Sequence, residues 1–311
     1  MFKGFWCPHI PGYNDAGTVE TDGMTSAYHL LEPDLVQGPV LFASPHSART
    51  YPPDLIRNSV LDLNTLRSSE DAYVDHLIRA APAHGAPLLL GGAPRAYVDY
   101  NRAAGELDPA LIAGISRGTL NPRVASGLGV IPRVVARGRA IYRGKISRAE
   151  AEYRLNTCWH PYHARLAQLL DAQRMRFGKA ILLDMHSMPH EAVASESRRG
   201  APRPDIVIGD RFGASAGADI VSAIEAAFAA AGLRVARNAP FAGAYVVQAY
   251  GRPGMGQHAV QIEIDRALYL DEARMTPHDG FAAFQTVMDG IVAALACIGR
   301  EQTNGLPLAA E

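Results

Sequence analysis

The chain has 311 residues, 48% of them hydrophobic and 20% charged, with a formal net charge of −1. That composition builds an ordinary globular core, and so small a net charge excludes a global field aimed at nucleic acid or an anionic membrane. The three cysteines, Cys7, Cys158 and Cys297, are widely spaced, which gives no zinc-knuckle pattern and fits a reducing compartment.

The start, Met-Phe-Lys-Gly-Phe-Trp-Cys-Pro-His, lacks the apolar core of a signal peptide. No apolar run approaches the roughly 20 residues that span a bilayer. These features lead us to expect a soluble, cytoplasmic protein forming one domain over 1–311. Residues 1–38, rich in Gly, Pro and Asp, read as a peripheral arm or hairpin.

In chain order, residues 39–45 read as a buried strand. The run from Ser69 to Ala81, with Ser and acids at its start, reads as a helix. Leu88-Leu-Leu and Ala96-Tyr-Val-Asp-Tyr read as strands flanking a Gly-Gly turn. Residues 103–146 are rich in Gly, Pro and Arg and poorly periodic, a length of irregular chain that usually carries function. Ser147-Arg-Ala-Glu150 is a capping box. The helix it opens extends to about Arg176, and Pro161 should interrupt it. Strands follow at 179–185 and 205–209, an alanine-rich helix at 214–231, strands near 233–237, 243–248 and 258–264, and a helix over about 277–297. Alternating strands and helices imply an α/β layer fold with a mixed, mostly parallel sheet, and the closely spaced late strands suggest some antiparallel pairing.

Three buried runs end in polar residues: Pro39-Val-Leu-Phe-Ala-Ser-Pro-His46, Ala180-Ile-Leu-Leu-Asp184-Met-His186 and His258-Ala-Val-Gln-Ile-Glu263. In open α/β sheets, sites collect beyond the carboxyl ends of the strands. Asp184 and His186 share a strand face, and so apolar a run makes unpaired charge costly. They read as a metal ligand with a carboxylate nearby, or as a hydrogen-bonded core histidine. His46 has the same two readings. A third ligand falls to Asp71 or Glu70, although acids at a helix start also simply complement the dipole. Glu263, held between isoleucines, suits a general base with a raised pKa, or a structural acid paired with Arg266.

Arginine forks match carboxylates. Of Arg95, Arg102, Arg133, Arg137, Arg139, Arg143 and Arg252, we single out Arg102 and Arg252 for substrate. A competing signal is G-x-S-x-G, present at Gly114-Ile-Ser116-Arg-Gly118 and Gly213-Ala-Ser215-Ala-Gly217. Only the second has a strand before it and a helix after it, as a nucleophile elbow requires. Asp265 and His278 follow Ser215 in hydrolase order.

The pieces Ser-Pro-His46-Ser, Glu70-Asp71-Ala-Tyr-Val-Asp75, Arg95-Ala-Tyr-Val-Asp-Tyr-Asn101-Arg102, Pro161-Tyr-His163, Leu-Asp184-Met-His186-Ser187, Asp205-Ile-Val-Ile-Gly209 and Tyr250-Gly-Arg252-Pro followed by His258-Ala-Val-Gln-Ile-Glu263 occur in this order. Together they resemble the N-formylglutamate amidohydrolase (N-formylglutamate deformylase) family over about residues 39–272. That family looks distantly like the zinc carboxypeptidases and aspartoacylase. The resemblance implies a three-layer α/β/α sandwich around a mixed, mostly parallel sheet. It also implies one Zn2+ per chain held by His46, Asp71 and His186, Glu263 as base, and Arg102 assisting the oxyanion or holding a substrate carboxylate. Asn101, Tyr250 and Arg252 then fall to substrate binding. The implied reaction is zinc-dependent hydrolysis of N-formyl-L-glutamate to formate and glutamate, in the context of histidine breakdown.

Two departures stand out. The chain has His46-Ser47-Ala48 where relatives often have His-Ser-Gly, and position 49 is Arg, so the carboxypeptidase-type His-x-x-Glu pair is absent. Asp71 therefore stays open against Glu70. Three alternatives remain: another N-acyl amino acid or small amide as substrate, a serine hydrolase built on Ser215, or a non-catalytic metal- or amino-acid-binding protein. Monomer and homodimer are not distinguished.

Overall fold

The computed structural model describes residues 26–116, 121–194 and 203–300. Cys7, most of the expected arm (residues 1–25) and the end of the first G-x-S-x-G match lie outside the described residues.

Among the described residues, seven strands form the central sheet: β1 (Tyr28–Leu31), β2 (Val40–Ser44), β3 (Leu88–Gly91), β4 (Ala180–Met188), β5 (Ile206–Gly209), β6 (Val235–Arg237) and β7 (Gln257–Asp265). Their order is β1-β3-β2-β4-β7-β5-β6. The middle of the sheet is parallel, as is the β5–β6 pair, while β1 on β3 and β5 on β7 are antiparallel. Part of the expected arm is thus an edge strand of the sheet.

The central strands are buried on both faces, which explains their unbroken apolar runs. One face packs Phe42, Leu183 and Ile262 against residues of α4 (Ala218–Ala230) and α6 (Phe281–Ala296). The other packs Leu41, Leu182 and Ala259 against α3 (His160–Phe177) and α5 (Tyr245–Tyr250). Two cores with a sheet between them make the fold a three-layer α/β/α sandwich. No helix of the described residues is long and apolar enough to cross a membrane.

Four elements differ from expectation, and each difference has a local cause. The helix expected from Ser69 is only α1 (Val74–Leu77), because Tyr73 sits in the left-handed region at φ 62° and Asp71 precedes it. Residues 96–100 form turns held by bonds from Tyr97 and Val98 to the Pro94 carbonyl. The segment expected as a strand at 243–248 is α5, whose Val246 N–H donates to Asn101 Oδ1 at 2.7 Å. Pro161 does not break its helix: a π turn (Leu155–Trp159) joins α2 (Arg148–Arg154) to α3 and places Pro161 at the start of the new segment. There its missing N–H costs little.

Candidate active site

The register of the sheet assembles the site. In the parallel β4–β7 pair His186 stands opposite Glu263, and in the β2–β4 pair Ala43 stands opposite Asp184. His46 follows β2 by two residues, so it emerges at the same carboxyl edge. Gly91 closes the neighbouring strand β3, and a Cβ there would sit 2.2 Å from the Pro45 carbonyl oxygen. Only glycine lets β3 pass so near the turn that carries His46.

Asp71 arrives from the loop before α1. Its N–H donates to the His46 carbonyl at 3.0 Å, and its Oδ2 lies 3.2 Å from His46 Nδ1 and 2.8 Å from His186 Nδ1. All three residues are buried. Burial opposes ionisation of Asp71, but the two imidazoles hold its carboxyl well below the usual range. Burial likewise opposes protonation of His186, and Asp184 and Asp71 outweigh it, raising its pKa.

Each imidazole has a carboxylate behind it. His46 Nε2 lies 2.9 Å from Asp99 Oδ1. His186 Nε2 lies 2.9 Å from Asp184 Oδ2, an ion-pair distance outside hydrogen-bond geometry. An acid hydrogen-bonded as Asp99 is fixes tautomer and ring orientation in a metal-binding histidine, and Asp184 places a second negative charge beside His186. The donor atoms of His46, Asp71 and His186 all lie within 4.8 Å of one another. Two imidazole nitrogens and one carboxylate oxygen, backed in this way, fit a divalent metal.

Glu70 faces elsewhere: it accepts from the Tyr51 hydroxyl at 2.7 Å and from Arg67 Nε at 3.2 Å. Asp71 is the acid that the fold puts between the histidines.

Glu263 is 7% exposed, with Val207 of β5 opposite it on its other side. Burial pushes its carboxyl up to about 7, against the pull of His186 and Arg95 and with the charge of Asp71 adding to the shift. Gln261 Nε2 donates to Glu263 Oε1 at 2.7 Å, while Gln261 Oε1 accepts from Ala244 N–H and Asn101 Nδ2. Arg266, the partner considered for Glu263, pairs instead with Asp71.

The remaining expected residues separate. Asn101 is 3% exposed; its Oδ1 accepts from Val246 N–H and its Nδ2 donates to Gln261 Oε1, with His186 Nε2 3.3 Å from that nitrogen. Arg102 bonds the Leu128 and Asn101 carbonyls. Tyr250 donates its hydroxyl to the His163 carbonyl at 3.2 Å and lies 2.9 Å from His163 Nδ1. It faces the helix behind Asn101, since His163 Nε2 reaches the Tyr100 carbonyl.

Arg252 is not brought to the cluster. It is exposed and bridges to Gln257 at the amino end of β7. Glu263 lies six residues along that strand, about 20 Å at strand rise. Ser215 has the same problem. Its hydroxyl donates to the Ala259 carbonyl at 2.8 Å, while Asp265 pairs with His190 and His278 reaches the Ala267 carbonyl. The serine triad does not assemble.

Asp99 is the neighbour that sequence reasoning misses, and Arg95 is one that it names without singling out. Arg95 Nε lies 3.0 Å from Asp99 Oδ2, and its charge is felt by Asp71 and Glu263. The alternation Asp99-Tyr100-Asn101 is the signal that could have found Asp99: two polar groups flank a buried tyrosine.

The family model of the N-formylglutamate amidohydrolases matches residues 38–270. The chain belongs to this family. Within it, the N-formylglutamate deformylase of Pseudomonas aeruginosa is 29% identical over 270 residues, covering 85% of this chain and 95% of that protein. The Pseudomonas putida deformylase is 26% identical over 273 residues, 85% of this chain and 94% of its own. A crystal structure of N-formylglutamate amidohydrolase from Ralstonia eutropha superposes with a TM-score of 0.80 at 33% identity, covering 86% of this chain and 96% of that one. By family, this protein is an amidohydrolase.

Proposed function

We propose that the protein hydrolyses the formamide bond of N-formyl-L-glutamate, giving formate and L-glutamate, with one zinc ion held by His46, Asp71 and His186. The observation that carries this reading is the convergence of those three donors beside Glu263 on the adjacent strand, in a chain whose relatives bear the deformylase name.

A divalent metal held there would supply Lewis acidity, polarising a carbonyl oxygen and lowering the pKa of a water toward neutrality. Glu263 takes the proton as the water oxygen bonds to the formyl carbon. A carboxyl pushed up to about 7 is matched to accepting and returning a proton near neutrality. When the C–N bond breaks, Glu263 hands its proton to the departing amine nitrogen. Gln261 holds the carboxylate in place for both transfers.

Substrate carboxylates require cations. Arg95 and Arg102 flank Asp99 and Asn101 beside the cluster and take that role in this reading. Arg252, at the far end of β7, does not. Free Cys158 and Cys297 are consistent with action in the cytoplasm.

The serine reading makes a separate expectation. Ser215→Ala should leave formate release within about twofold of wild type and cost about 1 kcal/mol of stability through the lost hydrogen bond to Ala259. Steady-state kinetics on the folded variant test this, and a loss of turnover would return Ser215 to the mechanism.

A further inference from the structure

Arg266 takes no part in the chemistry above, yet its guanidinium reaches the segments that carry the site. It lies three residues after Glu263 and is 4% exposed. Its Nε donates to Ser187 Oγ at 3.0 Å, beside His186. Nη1 donates to the Ser68 carbonyl at 3.4 Å. Nη2 donates to the Glu70 carbonyl at 2.5 Å and to Asp71 Oδ1 at 3.3 Å. Ser187 Oγ donates to that same Asp71 oxygen at 3.5 Å.

The two oxygens of Asp71 are therefore divided. Oδ2 faces the Nδ1 atoms of both histidines, and Oδ1 faces Arg266 and Ser187. A carboxylate with both oxygens free can chelate a metal and fill a position that a catalytic site keeps open. A planar guanidinium, with its fork split between a carboxylate oxygen and a neighbouring carbonyl, holds the carboxylate against such rotation in a way a lysine ammonium does not.

We infer that Arg266, with Ser187, is a positioning residue that occupies Asp71 Oδ1 and makes Asp71 a one-oxygen ligand between His46 and His186. The inference rests on the metal-site reading proposed above. It assigns Arg266 a task beyond tying loops together: a merely structural clamp affects stability and leaves coordination unchanged.

The test uses full-length wild-type protein, Arg266→Lys and Ser187→Ala. Zinc affinity is read by competition with a chromophoric chelator, and cobalt(II) exchanged into the site reports coordination number through its visible absorption. Arg266→Lys should weaken zinc binding about 10- to 100-fold, the range seen for outer-shell partners of metal ligands. Its cobalt spectrum should move toward higher coordination as Asp71 turns both oxygens inward. Ser187→Ala should shift both readouts in the same direction by less. Wild-type affinity and spectrum in the folded variants would overturn the inference. If Arg266→Lys does not fold, Ser187→Ala decides by the same criterion. A wild-type protein that takes up no metal would sink the site reading, and the inference with it.

Discussion

Glu263→Gln should abolish most turnover while the protein keeps its metal. The amide is isosteric with the carboxyl and retains an oxygen to accept from Gln261 Nε2, so the strand should be undisturbed. What it loses is the ability to take a proton from water and return it to the leaving amine. General acid–base catalysis of this kind contributes about 100- to 10,000-fold, and kcat should fall within that range with KM little changed. Metal content by elemental analysis should match wild type, because His46, Asp71 and His186 are untouched. A variant with wild-type kcat would remove Glu263 from proton transfer.

The second large effect separates two adjacent acids. Asp71→Asn should release the metal and with it the activity, since it replaces the anionic donor facing both histidines. The expected loss in metal affinity exceeds the roughly 10- to 100-fold typical of outer-shell changes. Glu70→Gln should keep metal and turnover. Its cost falls on folding, because it unbalances the buried pair with Arg67, a change worth on the order of 3 kcal/mol. Metal content and thermal denaturation of the two variants side by side provide the check. If Glu70→Gln lost the metal and Asp71→Asn kept it, the ligand assignment would be reversed.

Much of the scaffold was legible in the sequence because the central strands are buried on both faces. Val40–Ser44, Ala180–Met188 and Gln257–Asp265 announce themselves as apolar runs, and the histidines and Glu263 at their carboxyl ends announce a site. What the sequence obscured is where the chain departs from local preference because distant groups hold it. Val246-Val247 has β-propensity, yet it lies in a helix whose start is held by the Val246 N–H on Asn101 and by the N–H of the preceding Ala244 on Gln261. Ala96–Tyr100 alternates like a strand, yet it turns so that Asp99 reaches His46. Asp71 reads as a helix-start acid, yet the left-handed Tyr73 ends that regularity before it begins.

Arg252 shows the remaining gap. A Gly-Arg-Pro loop looks like a substrate clamp in sequence, but the direction of β7 decides which end of the sheet it occupies, and that end is opposite Glu263. Conversely Arg266, which reads as a partner for Glu263, serves Asp71 because its side chain crosses to the loop at 68–71. Both are questions of long-range geometry that spacing does not encode.

The most direct measurement is formate release from N-formyl-L-glutamate by the purified protein, before chelation, after chelation and after zinc is restored. Release that disappears with the chelator and returns with zinc is the expected result. Release that survives complete removal of metal would contradict the metal site, and a zinc-loaded protein that releases no formate would contradict the substrate.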